Sequence, residues 1–321
     1  MIDIIKKSIK NPLVVLDYII QPKKIYNFII KKYFALPDLD YIGKVKNYFI
    51  KKNIINFWIF FSKRNKKIFF FFFKEISSSS NKYIFKKEDL YSNESTVLQS
   101  LADHGLIVLE NILPEDEHKL IKKRFLELKD LNIKEENINA NEWQQRPITT
   151  KTNTKLRIFS SRKIDEFDNL KSLSNFFSKN VYGKIYENNA EFYYDKLLKL
   201  PEDKIKGDNF MHLDRYVPNM KILYIPFGVD KASAPFTYAF GSHKINSEYI
   251  KFINNGSRFD ETEKESLSFL NNKTEITAKE NSLVVALTSG FHGRSCFEDF
   301  RERMIVFLQY RSFNKLSLLK L

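Results

Sequence analysis

The sequence predicts a mainly β protein with flanking helices, an α+β arrangement in which a barrel or double-sheet jelly roll follows an N-terminal helical extension. From residue 205 onward, short β-rich runs are separated by turns that contain Gly, Asn or Pro. Such a succession is typical of jelly rolls and barrels. The runs cover residues 221–227, 274–277, 282–287 and 303–311. With 321 residues, the chain is long enough to bury a core of this kind.

Helical and β patterns alternate just before this core. Residues 94–101 are predicted as a helix and residues 105–109 as a strand. A second helix is predicted at 114–131, because Pro114 and several acidic residues stand where a helix begins. These elements are the flanking helices of the predicted fold.

The first 90 residues differ in composition from the rest of the chain. They hold 19 Lys or Arg against 7 Asp or Glu, a net charge of +12, whereas the remaining residues hold 34 against 32. Lys pairs recur among apolar clusters, which favours short amphipathic helices. Residues 77–80 are four serines, typical of a linker. We therefore predict a basic helical appendage at 1–90 and a second domain at 91–321.

Charge and cysteine content limit the partners and the compartment. A basic segment favours an anionic surface, so we expect peripheral contact of residues 1–90 with an anionic membrane; the alternative is lysine faces that are merely solvated. No zinc finger or recognised RNA-binding motif is present, so nucleic acid is not an expected partner. The apolar runs 54–61 and 68–73 are too short to span a bilayer. Cys296 is the one cysteine, which excludes an intramolecular disulfide and favours a cytoplasmic protein, at most peripheral at the inner membrane surface.

The motif with the clearest chemistry is His212-Leu213-Asp214, directly before a β-rich run. Residues two apart on a strand point to the same face, so the imidazole and the carboxylate can reach one ion. These groups are two of the three ligands in the facial triad of non-haem Fe(II) oxygenases. The third ligand is then expected to be a distant histidine.

Four other histidines compete for this third position. His104 and His118 are interpreted as ordinary surface residues, in a turn and in a charged helix, and His243 lies in another turn. His292 follows the strand at 282–287 and has a glycine at 290 and at 293, where the backbone can approach a metal closely. We therefore predict His292 as the third ligand.

Arg303 begins an apolar strand eleven residues after His292. A buried arginine needs an anionic partner, and its planar guanidinium matches a carboxylate through two parallel hydrogen bonds. The distal carboxylate of 2-oxoglutarate would be such a partner. Arg301 points to the same face and is the rival candidate.

Residues 92–313 resemble the phytanoyl-CoA dioxygenase family of oxygenases, whose fold is a double-stranded β-helix of the jelly-roll or cupin type. Four segments agree in order, spacing and flanking residues: 103–109 with Pro114, 212–214, 234–244, and 290–293 followed by Arg303. The resemblance implies that His212, Asp214 and His292 bind Fe(II), that Arg303 anchors 2-oxoglutarate, and that O2 is the second co-substrate.

Two positions depart from the family pattern. The family often has Asn-Gly-Pro where this chain has Ser233-Ala234-Pro235, and a hydroxyl residue where this chain has Arg294, followed by Ser295. We take Ser295 as a second contact to 2-oxoglutarate. Arg294 and Arg215 are candidate contacts to an anionic substrate, with surface arginine as the alternative for each.

The resemblance also implies a reaction class. Oxidative decarboxylation of 2-oxoglutarate would be coupled to hydroxylation of an unactivated C–H bond in a small molecule, a lipid or a carbohydrate precursor. Related halogenases have a small residue in place of the metal carboxylate, so Asp214 argues against halogenation. The alternative function is a non-catalytic binding or membrane-associated scaffold that retains the barrel.

Overall fold

The computed structural model describes eleven parts of the chain: residues 66–76, 82–130, 144–146, 154–163, 167–183, 189–197, 211–214, 218–247, 249, 273–295 and 301–311. The helices are α1 Lys66–Phe72, α2 Lys87–Ser92, α3 Glu94–His104, α4 Glu115–Asp130 and α5 Asp168–Tyr182. The strands are β1 Ile84–Lys86, β2 Leu106–Glu110, β3 Gln144–Arg146, β4 Thr154–Lys163, β5 Asn189–Leu197, β6 Asn219–Ile225, β7 Phe236–Ala239, β8 Lys273–Ile276, β9 Ser282–Ala286, β10 His292–Arg294 and β11 Glu302–Arg311.

These strands form two sheets. The larger has eight strands in the order β1-β2-β9-β6-β11-β5-β4-β3, and the smaller has three in the order β10-β7-β8. Strand β9 pairs antiparallel with both β2 and β6, and β11 pairs antiparallel with β5. Strand β1 extends the edge in parallel with β2.

Side chains of the large sheet alternate between two apolar cores, as the two-residue period of a strand requires. On β6, Ile222 and Tyr224 join a core that includes Leu101 of α3 and Phe125 of α4. The intervening Leu223 joins a second core with residues of the small sheet. Two facing sheets with helices on the outer face of the larger one confirm the predicted fold class.

Most predicted elements near the core are present with small differences at their ends. The helix predicted at 94–101 runs on to His104 and ends where Gly105 takes a left-handed conformation, φ 79°, and donates its N–H to the Leu101 carbonyl at 2.8 Å. That terminus is favourable because glycine has no Cβ to clash in this conformation. Among the described helices, none has the length and apolar content needed to cross a membrane.

The packed fold begins before the boundary predicted near residue 90. Phe71 and Phe72 of α1 are 2% and 0% exposed and belong to the helix-side core, as does Phe85 of β1. Burying a Phe side chain contributes about 1.5–3 kcal/mol. These phenylalanines therefore pack into the core of the sheet on the N-terminal side of the boundary predicted near residue 90. The rest of the predicted appendage, residues 1–65, lies outside the described residues.

Candidate metal centre

His212 and His292 lie side by side because their backbones form a short antiparallel bridge. The His212 N–H donates to the His292 carbonyl at 2.8 Å, and the His292 N–H donates to the His212 carbonyl at 3.0 Å. The two imidazole centroids are 4.6 Å apart. Asp214 completes the group: the candidate ligand atoms of the three side chains all lie within 4.8 Å of one another. The structure thus brings together two histidines and one carboxylate, the donor set of a facial triad.

The His292 imidazole is oriented as a metal ligand requires. Its Nδ1 lies 2.9 Å from the Gly290 carbonyl oxygen, which can only accept a hydrogen bond, so Nδ1 carries the proton. Nε2 then presents a lone pair on the side of Asp214, 3.5 Å from Oδ2. Within the described residues this buried nitrogen forms no hydrogen bond. A buried acceptor without a donor fits a cation.

The Asp214 carboxylate is held through one of its two oxygens. Lys221 Nζ lies 2.7 Å from Oδ2, and Asn219 Nδ2 donates to the same oxygen at 3.2 Å and to Thr288 Oγ1 at 2.8 Å. Oδ1 lies 4.0 Å from His212 Nε2. Burial raises the pKa of Asp214, but the adjacent Lys221 ammonium lowers it, and that pKa lies well below its usual range. The carboxylate is therefore ionised, which is the form that binds a cation.

Arg303 lies on the inner face of β11 and is 8% exposed. Its Nη2 donates to Asp195 Oδ2 at 2.7 Å, and its Nη1 donates to the Ala234 carbonyl at 3.1 Å. The expectation that this buried arginine needs an anionic partner is met within the chain by Asp195. Arg301, the rival candidate, is exposed and acts electrostatically on Asp230.

A cavity of about 90 Å³ connects these groups. His212, His292 and Arg303 all line it. Its walls come from alternate residues of β6 and β11, from β9, from the small sheet and from the loop before β7: Lys221, Leu223, Ile225, Val229, Ala234, Phe236, Ile276, Val284, Gly293, Arg294, Ile305 and Phe307. The lining is mostly apolar with a few polar groups that converge on one region, as is typical of small-molecule sites.

The remaining predicted site residues are distributed differently. Arg294 lines the cavity. Ser295 does not belong to the lining; its hydroxyl bonds to the Glu275 carboxylate, and its N–H donates to the Pro235 carbonyl at 3.0 Å. The Ser295 hydroxyl is thus directed to β8, and its contact with 2-oxoglutarate stays a prediction. Arg215 lies outside the described residues.

Two of the competing histidines have structural roles. His118 is 4% exposed, and its Nδ1 lies 2.6 Å from the Tyr224 hydroxyl. The prediction of a surface position for His118 was wrong, since its face of α4 packs on the large sheet. His243 is buried in its turn, and its Nε2 lies 2.9 Å from the Ala102 carbonyl oxygen. Neither belongs to the His and Asp cluster found among the described residues.

Three further residues of the centre were not identified from the sequence. Lys221 is a charged residue on the inward face of an apolar strand. The alternation of inward and outward positions along 219–225 would have indicated that it points into the core. Asn219 shares this signal less clearly, because it stands at the strand's first position. Asp195 carried no signal, since β5 was not predicted.

No protein-family model matches the sequence, and no curated protein matches it. Several solved structures are similar to this chain. One is the epimerase SnoN in complex with Fe3+, alpha ketoglutarate and nogalamycin RO, which has 10% sequence identity and a TM-score of 0.42 over 65% of this chain and 79% of that chain. EctD from S. alaskensis with bound Fe has 16% identity and a TM-score of 0.44 over 73% and 79%. HygX from Streptomyces hygroscopicus with nickel and 2-oxoglutarate bound has 10% identity and a TM-score of 0.39 over 68% and 86%. At such identities and TM-scores, the function of this chain has to be argued from its own residues.

Proposed function

We propose that this protein is an Fe(II)- and 2-oxoglutarate-dependent oxygenase that hydroxylates an unactivated C–H bond. The observation that carries the proposal is a cavity lined by two histidines and a buried arginine, with the ionised Asp214 carboxylate close to both histidines. Imidazole and carboxylate donors in a two-to-one ratio suit Fe(II) and leave coordination positions open. When bound there, iron supplies the activation of O2 that is coupled to decarboxylation of 2-oxoglutarate.

The protein groups have separate tasks in this proposal. His212, Asp214 and His292 hold the metal, and the Gly290 carbonyl, Asn219 and Lys221 fix the orientation of two of these ligands. Outer contacts of this kind typically change metal affinity about 10- to 100-fold.

Arg303 would receive the distal carboxylate of 2-oxoglutarate, since a guanidinium matches a carboxylate in geometry and charge. Leu223, Ile225 and Phe236 form apolar walls that exclude water from the reacting region. Arg294, on the wall near His292, favours an anionic group in the prime substrate, which we place among small metabolites, lipids and carbohydrate precursors.

An anaerobic titration tests the proposal. Fe(II) is added to the protein, and 2-oxoglutarate is then added while visible absorption is recorded. The oxygenase is expected to bind one Fe(II) and to develop a metal-to-ligand charge-transfer band when 2-oxoglutarate binds. A non-catalytic scaffold, the second function considered, develops no such band.

Variants of the candidate ligands provide the first prediction. His212→Ala, Asp214→Ala and His292→Ala should each weaken metal binding by more than the roughly 100-fold that loss of an outer contact costs, and should abolish turnover. Asp214→Gly should likewise not retain hydroxylation. The matched control is His104→Ala, which removes an imidazole that is not part of the cluster. Unchanged metal affinity in His292→Ala would contradict the ligand assignment.

A further inference from the structure

Arg303 is held at two points, by the Asp195 carboxylate and by the backbone of Ala234. Asp195 stands directly opposite it in the antiparallel pair of β11 and β5, and the carboxylate is 1% exposed. The second point is the Ala234 carbonyl, in the loop before β7. Ala234 has φ 53°, a left-handed conformation that is unfavourable for a residue with a Cβ. This unfavourable backbone conformation places the Ala234 carbonyl where it accepts a hydrogen bond from Arg303. It therefore favours a role for the loop in fixing the position of the guanidinium.

The two contacts approach Arg303 from different places. Arg303 and Ala234 line the cavity, whereas Asp195 does not and β5 contributes no residue to the lining. Asp195 therefore meets the guanidinium from the next strand, beyond the cavity wall. A guanidinium has five N–H donors, and the two hydrogen bonds use two of them. As far as the described residues show, the other N–H groups are left to meet a ligand in the cavity that Arg303 lines.

We infer that Asp195 is a positioning residue for co-substrate binding: its buried carboxylate fixes the plane of Arg303 so that the remaining N–H groups face the distal carboxylate of 2-oxoglutarate. This inference rests on the proposed function. Arg303 has a long side chain with several rotatable bonds, and bidentate recognition of a carboxylate requires its planar fork in one orientation. A short, charge-assisted hydrogen bond from a neighbouring strand supplies that orientation before the ligand arrives.

If Asp195 had only an electrostatic role, its removal would have the opposite effect on co-substrate binding. If Asp195 merely satisfied the charge of Arg303, it would compete with 2-oxoglutarate for the same cation. Removing the charge of Asp195 would then tighten co-substrate binding. If Asp195 positions Arg303, the same change weakens binding, because the guanidinium loses its fixed plane.

The test is the affinity for 2-oxoglutarate of Asp195→Asn in the full chain. Asparagine keeps the shape and one acceptor but removes the charge. The dissociation constant is measured anaerobically on Fe(II)-loaded protein from the charge-transfer band, well below the unfolding temperature, and Fe(II) binding alone is measured in parallel. We expect affinity for 2-oxoglutarate to fall about tenfold or more, with Fe(II) affinity unchanged and partial recovery in Asp195→Glu.

Glu191→Gln is the matched control. Glu191 lies on the same strand and the same face, but it accepts a hydrogen bond from Tyr193 at 2.6 Å and faces Phe307 in the register. Its removal should leave the affinity for 2-oxoglutarate unchanged. Affinity in Asp195→Asn that equals or exceeds that of the unaltered protein overturns the inference and leaves the proposed function standing. Absence of the band in the unaltered protein overturns both.

Discussion

Replacing Arg303 by alanine should destabilise the fold as well as weaken co-substrate binding. The change leaves the Asp195 carboxylate, which is 1% exposed, without the guanidinium that lies 2.7 Å away. Breaking a buried ion pair by removing one partner costs about 3–5 kcal/mol. The control is Arg301→Ala. Because Arg301 is exposed, this change should alter the free energy of unfolding by no more than about 0.5 kcal/mol.

Urea denaturation of both variants measures this difference. Combining Asp195→Leu with Arg303→Met should recover most of the lost free energy of unfolding, since neither charge of this ion pair then remains buried. Equal destabilisation by Arg303→Ala and Arg301→Ala would refute the reasoning.

Three other predictions concern separate parts of the protein. Ala234→Gly should stabilise the fold by up to about 1 kcal/mol, because relief of the left-handed strain, roughly 1–2 kcal/mol, exceeds the added entropy of the unfolded chain; a lower midpoint in urea would contradict this. Burial lowers the pKa of Lys244 to about 8, although Asp103 raises it. Between pH 8 and about 10 the unfolded state therefore binds more protons than the folded state, so the free energy of unfolding should rise with pH relative to that of Lys244→Met. Parallel pH profiles of the free energy of unfolding for the two proteins would contradict this prediction. Replacing three Lys pairs of the full chain by glutamine should reduce sedimentation with anionic vesicles at low salt, because each Lys contributes about 1 kcal/mol at most to binding. Neutral vesicles should bind both the unaltered and the substituted protein poorly. Equal binding of the two proteins to anionic vesicles would contradict the membrane proposal. These pairs are residues 6/7, 23/24 and 31/32.

Local patterns along the sequence were sufficient for the fold class and for the order of the elements around the site. Short β-rich runs separated by turns predicted strands β6, β9 and β11, because β-branched and aromatic residues favour strands. The spacing of His212 and Asp214 and the glycines around His292 marked the candidate ligands before their positions were known. These features are local, so they can be recognised without knowledge of which strands are neighbours.

Strand neighbours and buried partners were decided by the tertiary structure. Asp195 and Arg303 are 108 residues apart, and only the pairing of β5 with β11 places them opposite each other. The same holds for Lys221 beside Asp214, for His118 of α4 beside Tyr224 of β6, and for β1, which the composition had assigned to the appendage. A local pattern states which face of an element is apolar, but which element covers that face depends on the packing of the whole chain.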